Sequence, residues 1–433
     1  MNRRKLFKIL GAGVGSLPLM AYGRNYNGEL PPERPNDLFE QWEGKFSEAI
    51  VNDEAFWQSF AVDFYDISPD FINLENGYFG VQPIPVNAAY HQFVDKVNRE
   101  SSRYMRMEYW NDWQMVMDSL AGFTGASKEE LLVTRNATEA LNILINGFPL
   151  KAGDEVILQH HDYHSMIEAF QMLEKRKGIK LKFIDVPLLP KSDDEVVKLY
   201  ESAISPVTTL ILVTHLTHLT GQVLPVKKIC EMARNKGVEV MVDAAHSFAH
   251  LDYKLADLGA DMVGVNLHKW YANPLGAGLL YVKKEKINKL SPMFGDFTQA
   301  ADSINKLGHF GTLASPALLT IPVAGKFNNL VTIKVKQARL HYLKAYWTLK
   351  AAAMKRVEVH TPLAPGQSGA IAAFSVAGIS ADDTVKRLLD EYGVFTVKRQ
   401  LKDREVVRVT PNLYNSVADL DRLLEGIEGL SRG

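Results

Sequence analysis

From about residue 130 onward, short apolar runs alternate with stretches of helical period. The runs cover residues 131–134, 155–159, 181–185, 209–214, 238–243, 262–265 and 279–282. Each is nearly continuous in Val, Ile and Leu and too short to be a helix of ordinary length. Strands buried on both faces read this way. Strand–helix alternation then predicts an α/β fold, a mostly parallel seven-stranded sheet covered by helices on both sides. Helices are expected from Glu139 to Gly147 and over 167–177.

The flanking regions read differently. Residues 37–68 are helical in period, with Phe39, Trp42, Phe46, Ile50, Phe56 and Phe60 on recurring faces. Residues 71–80 read as a short strand running into a glycine turn, where Asn76 and Gly77 suit positive φ. Residues 84–121 read as helices and 317–355 as one long helix. Strands follow at 357–360, 369–376, 394–399 and 406–410, with helices at 381–391 and 416–424, the latter opened by a capping box at Ser416–Asp419. The expected division is a large domain over 71–316, then an interdomain helix and small α+β domain over 317–433.

The first residues stand apart. Arg3-Arg4 precedes a short, glycine-rich apolar run that is too short to span a bilayer. This resembles a twin-arginine export signal over residues 1–23. It implies passage through the twin-arginine machinery, a periplasmic location and cleavage, if any, near residue 23. Residues 24–70 then read as a linker and N-terminal helices.

Composition narrows the class. The chain has 433 residues, 46% hydrophobic and 23% charged, as expected of a globular enzyme with a large core. A net charge of −1 gives no reason to expect nucleic acid as a partner. The single cysteine, Cys230, lies in an amphipathic helix pattern and reads as a small buried hydrophobe, so no intrachain disulfide is possible.

Ligands of such sheets bind beyond the carboxyl ends of the strands, and the residues there carry chemistry. Thr134-Arg-Asn-Ala-Thr138 starts a helix whose exposed amides offer an anion site, or an ordinary cap. His160-His-Asp-Tyr-His164 offers a ring that stacks on a flat ligand, and it lacks a matching cluster elsewhere for a metal. Asp243 ends a wholly apolar strand and needs a cationic or donor partner. Lys269 follows the strand at 262–265, where desolvation disfavours the ammonium and leaves a nucleophilic amine. Alone, Lys269 reads more readily as a strand-end lysine reaching water. Together, an anion cradle, a stacking ring, a carboxylate and a lysine match what pyridoxal phosphate requires.

Several segments also resemble class V aminotransferase-fold enzymes, fold type I: Asp243-Ala-Ala-His246, Asn266-Leu-His-Lys269 and Ala137-Thr-Glu-Ala140. The isopenicillin N epimerase-like branch is similar at His160–Tyr163, Thr214-His-Leu-Thr-His-Leu-Thr-Gly221, Gly311-Thr312 and Arg408-Val-Thr-Pro-Asn-Leu-Tyr-Asn415. The resemblance spans roughly residues 70–430. It implies that Lys269 forms the Schiff base with pyridoxal 5'-phosphate and serves as general base. Asp243 would pair with the ring nitrogen, His246 would approach the ring hydroxyl, and His161 would stack. The amides of Ala137 and Thr138, with His268 and Asn266, would hold the phosphate, and Thr312 would reach the partner's phosphate in a homodimer. Arg408, with Asn76 and Tyr163, would bind an amino acid or amino-bearing peptide. His218 stands where the family has asparagine. A desulfurase of this family needs a nucleophilic cysteine on a C-terminal loop, and Cys230 is elsewhere.

Overall fold

The computed structural model describes residues 34–432 apart from 296; the Arg3-Arg4 segment lies outside the described residues. The first strand, β1 (Ile72–Asn73), is short. The apolar runs become β2 (Leu131–Thr134), β3 (Glu155–Gln159), β4 (Lys180–Ile184), β5 (Thr208–Thr214), β6 (Glu239–Asp243), β7 (Met262–Asn266) and β8 (Gly278–Val282). These seven form one sheet in the order β2-β8-β7-β6-β5-β3-β4. Only β8 runs antiparallel to its neighbours; the other pairs are parallel.

Successive side chains along the central strands point to opposite faces as the pleat requires, and both faces are buried. Ile211, Val213, Val240, Val242, Val263 and Val265 face one apolar cluster. Leu210, Leu212, Met241 and Met262 face the other. Both faces are therefore dry, which is why the strands lack polar alternation. Register aligns the carboxyl ends: Thr214 is opposite Asp243, and Asp243 opposite Gly264.

A second sheet follows, built from β9 (Val357–Val359), β10 (Ala372–Val376), β12 (Val397–Gln400) and β13 (Glu405–Val409), antiparallel in the order β12-β13-β10-β9. The sequence reads 394–399 as one strand; the structure separates β11 (Val394–Phe395), which pairs instead with β1. Helices Ala381–Tyr392 and Val417–Arg432 cover this sheet around Trp347, Phe374 and Leu423.

One further expectation is revised. The single helix over 317–355 is three: Ser315–Leu319, Ile321–Val331 and Ile333–Ala352. Pro322 suits the first turn of a new helix, and Thr332 at φ 60° breaks the ladder before the third. The segment read as linker and N-terminal helices enters the main core from Phe39 on, with Trp57 buried and Phe60 and Phe64 packed against Phe327.

Candidate active site

Asp243 and Lys269 meet where β6 and β7 end. Asp243 is 4% exposed, and one of its oxygens accepts the Ala245 amide at 2.9 Å. Burial pushes its carboxyl pKa up, against that hydrogen bond and the charge of Lys269. Lys269 lies in the turn after β7, with Nζ 2.8 Å from His246 Nε2. Burial pushes the amine down to about 7, with Asp243 opposing. His246 is buried and held well below its ordinary pKa by burial and by Lys269, so it is neutral. The indole N–H of Trp270 faces His246 Nδ1 at 3.5 Å. An indole only donates, so this contact favours the proton on Nε2, toward Lys269.

The backbone behind the lysine is clamped. Lys336 donates to the Trp270 carbonyl and, at 3.0 Å, to Asn328 Oδ1. Asn328 Nδ2 in turn donates to the Tyr271 carbonyl at 2.8 Å. Trp270 packs on His250 with ring centroids 3.9 Å apart.

The helix Ala137–Gly147 points its start at the same space. Asn136 caps it by accepting the Glu139 amide at 2.8 Å. A Cβ on Gly278 would lie 2.5 Å from Asn136 Cα, so glycine is what lets β8 pass the helix start. The Ala137 amide, expected to face a phosphate, donates instead to Asn266 Oδ1 at 2.8 Å. Asn266 thus fixes the helix start, and Thr138 and His268 are left facing the space. His268 Nδ1 donates to the Ala277 carbonyl at 3.2 Å, and burial holds its pKa near 4.

These groups line a cavity of about 310 Å³, together with Tyr163, His218 and Tyr78. His218 Nδ1 has no hydrogen-bond partner, and burial pushes its pKa well down, with Arg408 adding to the effect. Tyr163 meets His218 edge-on with centroids 5.2 Å apart.

Four predicted residues do not line the cavity. His161 does not; Tyr163 occupies the wall assigned to it. The cause is Asp162, buried between the Gln159 amide at 2.8 Å and the Thr214 hydroxyl at 2.7 Å. That anchor turns Tyr163 inward and leaves His161 in the field of Asp185, Lys402 and Asp403. Asn76 is spent on structure: Nδ2 donates to the Thr410 carbonyl at 2.9 Å, and Oδ1 accepts the Tyr414 hydroxyl at 2.7 Å. Arg408 is 2% exposed and faces Glu75. Thr312 is exposed, away from the cavity of its own chain. Sequence reasoning assigned no role to Asp162, Glu75, Trp270 or Lys336; for the three charged residues the only signal is a charge in an apolar or turn context, and Trp270 carries none.

The residue set fits pyridoxal phosphate. A buried carboxylate faces the cavity with a single backbone donor on one oxygen, a histidine nitrogen is unpartnered, a helix start offers positive potential, and an amine is held near neutrality. Among the described residues, no group of three or more His, Cys, Asp or Glu is arranged to hold a metal.

Comparison with known proteins agrees. The chain is 29% identical to isopenicillin N epimerase of Amycolatopsis lactamdurans over 73% of this chain and 84% of the relative. It is 28% identical to a probable cysteine desulfurase of Synechocystis over 74% and 80%. Among solved structures, a cysteine desulfurase of Escherichia coli superposes with TM-score 0.76 at 21% identity, covering 89% of this chain and 99% of that one. A C-DES mutant with glycine covalently linked to its pyridoxal-phosphate cofactor gives TM-score 0.76 at 20% identity, covering 83% and 97%. Residues 85–423 match the aminotransferase class-V family, and the chain belongs to that family of pyridoxal-phosphate-dependent enzymes of fold type I.

Proposed function

We propose that this enzyme moves the α-carbon proton of an amino acid or amino-bearing peptide, in epimerisation or amino transfer, with Lys269 as covalent anchor and base. One observation carries the reading: the Lys269 amine, pushed down to about 7, stands 2.8 Å from a neutral His246 on the cavity wall. Such an amine is nucleophilic near neutral pH and can both take up and return a proton there. When bound, pyridoxal phosphate supplies the electron sink that weakens the bonds at the substrate's α-carbon. Asp243 would provide the buried negative charge that keeps a proton on the ring nitrogen. Thr138, His268 and the start of helix Ala137–Gly147 would hold the phosphate, and Tyr163 would stack on the ring.

Desulfuration through a cysteine of this chain fits poorly. Cys230 is buried on helix Val226–Asn235, outside the cavity, and burial raises its thiol to about 12. A thiol held there is neither charged nor accessible.

The reading includes a homodimer, supported by the exposure of Thr312 and its separation from its own cavity. It also includes twin-arginine export to the periplasm, supported by Arg3-Arg4. Replacing both arginines by lysine should retain precursor in the cytoplasm; unchanged localisation would count against export. For the site, the purified protein should absorb in the near-visible, become irreversibly labelled on borohydride reduction, and exchange the α-proton of its substrate in D2O. Lys269→Ala should lose all three. Exchange retained in that variant would sink the assignment of Lys269 as base.

A further inference from the structure

Arg408 is already occupied. Its Nε stands 3.3 Å from one Glu75 oxygen, its Nη2 donates to the other, and its Nη1 donates to the His218 carbonyl at 2.7 Å. Both partners are buried, with side chains 2% and 6% exposed. Gly77 permits the packing, since a Cβ there would lie 2.6 Å from Arg408 Nη2. A substrate carboxylate taking the fork would have to expel Glu75, leaving a buried carboxylate short of its partner, which is costly.

A second guanidinium stands beside the pair. Val397 is opposite Arg408 across β12 and β13, so Arg399, two residues along, is its diagonal neighbour on the same sheet face. Arg399 Nη2 lies 3.5 Å from Glu75, too long for a strong charge-assisted hydrogen bond, and 28% of its side chain is exposed. Through Glu75 and Arg408 it is joined to the carbonyl of His218 on the cavity wall, and its charge is felt at Lys269 and His218. Two guanidiniums against one carboxylate leave one positive charge there for one anion.

We infer that Arg399, rather than Arg408, takes the substrate carboxylate, and that Glu75 sets this choice by neutralising Arg408. The inference rests on the reading of the cavity as a pyridoxal-phosphate amine site. Glu75 is then a specificity-determining residue and Arg399 a substrate-binding one.

The test uses the cofactor-loaded protein with glycine and glycinamide, achiral amines that differ in the carboxylate. The concentration giving half of the near-visible absorption change is measured for each. Wild type should prefer glycine. Arg399→Ala should raise the glycine value about tenfold while moving glycinamide less than about twofold, as expected for loss of one charge-assisted contact. Arg399→Lys should restore part of the preference, and Glu75→Gln, which frees the Arg408 fork, should strengthen it. Equal shifts for both amines in Arg399→Ala, no glycine preference in wild type, or a weakened preference in Glu75→Gln would overturn the inference. An absence of any absorption change with either amine would overturn the reading of the site itself.

Discussion

Two lysines show how single residues bear the cost of the site. Lys269 and Lys336 are both pushed down to about 7 by burial, from an ordinary 10.5. Between pH 7 and 10.5 the unfolded chain binds more protons at each than the folded chain does. Folding stability therefore rises with pH across that window, and the penalty is fully present below its lower edge. In protein freed of cofactor, Lys269→Met should raise stability at pH 7 by about 2 kcal/mol, and the gain should fade near pH 10. A gain of the same size at pH 10, by denaturant unfolding, would trace it to packing instead. Asp162 makes a second case. Asp162→Asn keeps an acceptor for Thr214 but leaves the Gln159 amide facing an NH2 group, so the turn should loosen at a cost of about 1–3 kcal/mol. Pyridoxal phosphate should then bind more weakly through a displaced Tyr163, while a titration matching wild type would show that the turn does not need this anchor. These two residues also mark where the sequence was legible. Asp243 ends an apolar strand and Lys269 follows one, and it is their occurrence together at neighbouring strand ends that betrays them. His161 and Tyr163 sit in one polar turn, and only the hydrogen bonds of Asp162 decide which ring faces inward. Arg408 was visible as a charge on a strand, but its pairing with Glu75, more than three hundred positions earlier, leaves no local mark.

Among the elements, the central strands of the large sheet were legible because both of their faces are dry, which writes short, nearly unbroken apolar runs into the sequence. The helices after Ser315 were less so. Residues 317–355 keep an apolar rhythm throughout, and the break falls on Thr332, a residue that carries no obvious stop signal. Thr332 sits at φ 60° and ψ 142°, a region favourable to glycine and strained for a β-branched residue. Its hydroxyl caps the next helix by accepting the Val335 amide at 3.3 Å. Thr332→Gly gives up that cap and some backbone entropy and relieves the strain. The balance should favour the variant by about 1 kcal/mol, since glycine at a cap position loses only a few tenths. The denaturation midpoint should rise with no change in slope. A fall would mean that the hydroxyl cap outweighs the strain.

At the scale of the whole molecule, the N-terminal helices are part of the body that holds the site. Their aromatic periodicity was readable, but periodicity does not say what an apolar face packs against. Arg339, fully buried on helix Ile333–Ala352, supplies the answer. Its Nη1 pairs with Glu54 at the start of helix Glu54–Phe64, and its Nη2 donates to the Asn415 carbonyl at 3.2 Å. Glu54 also accepts the Val417 amide at 2.8 Å, where the last helix begins. One carboxylate thus joins the beginning, the middle and the end of the described chain. Glu54→Ala would strand a buried guanidinium and an amide together, and should cost about 3 kcal/mol, reduced somewhat because Glu54 is part-exposed. Adding Arg339→Met should recover much of the loss, because a buried ion pair replaced by an apolar side chain of similar length no longer needs charge compensation. The comparison is made by denaturant unfolding followed through tryptophan fluorescence, with Trp57 beside the Arg339 guanidinium as a local reporter. If the double variant is no more stable than Glu54→Ala, the stranded charge is not what destabilises it. The loss would then come from the unsatisfied Val417 amide, and the last helix rather than the N-terminal pair would be the first part of the molecule to open.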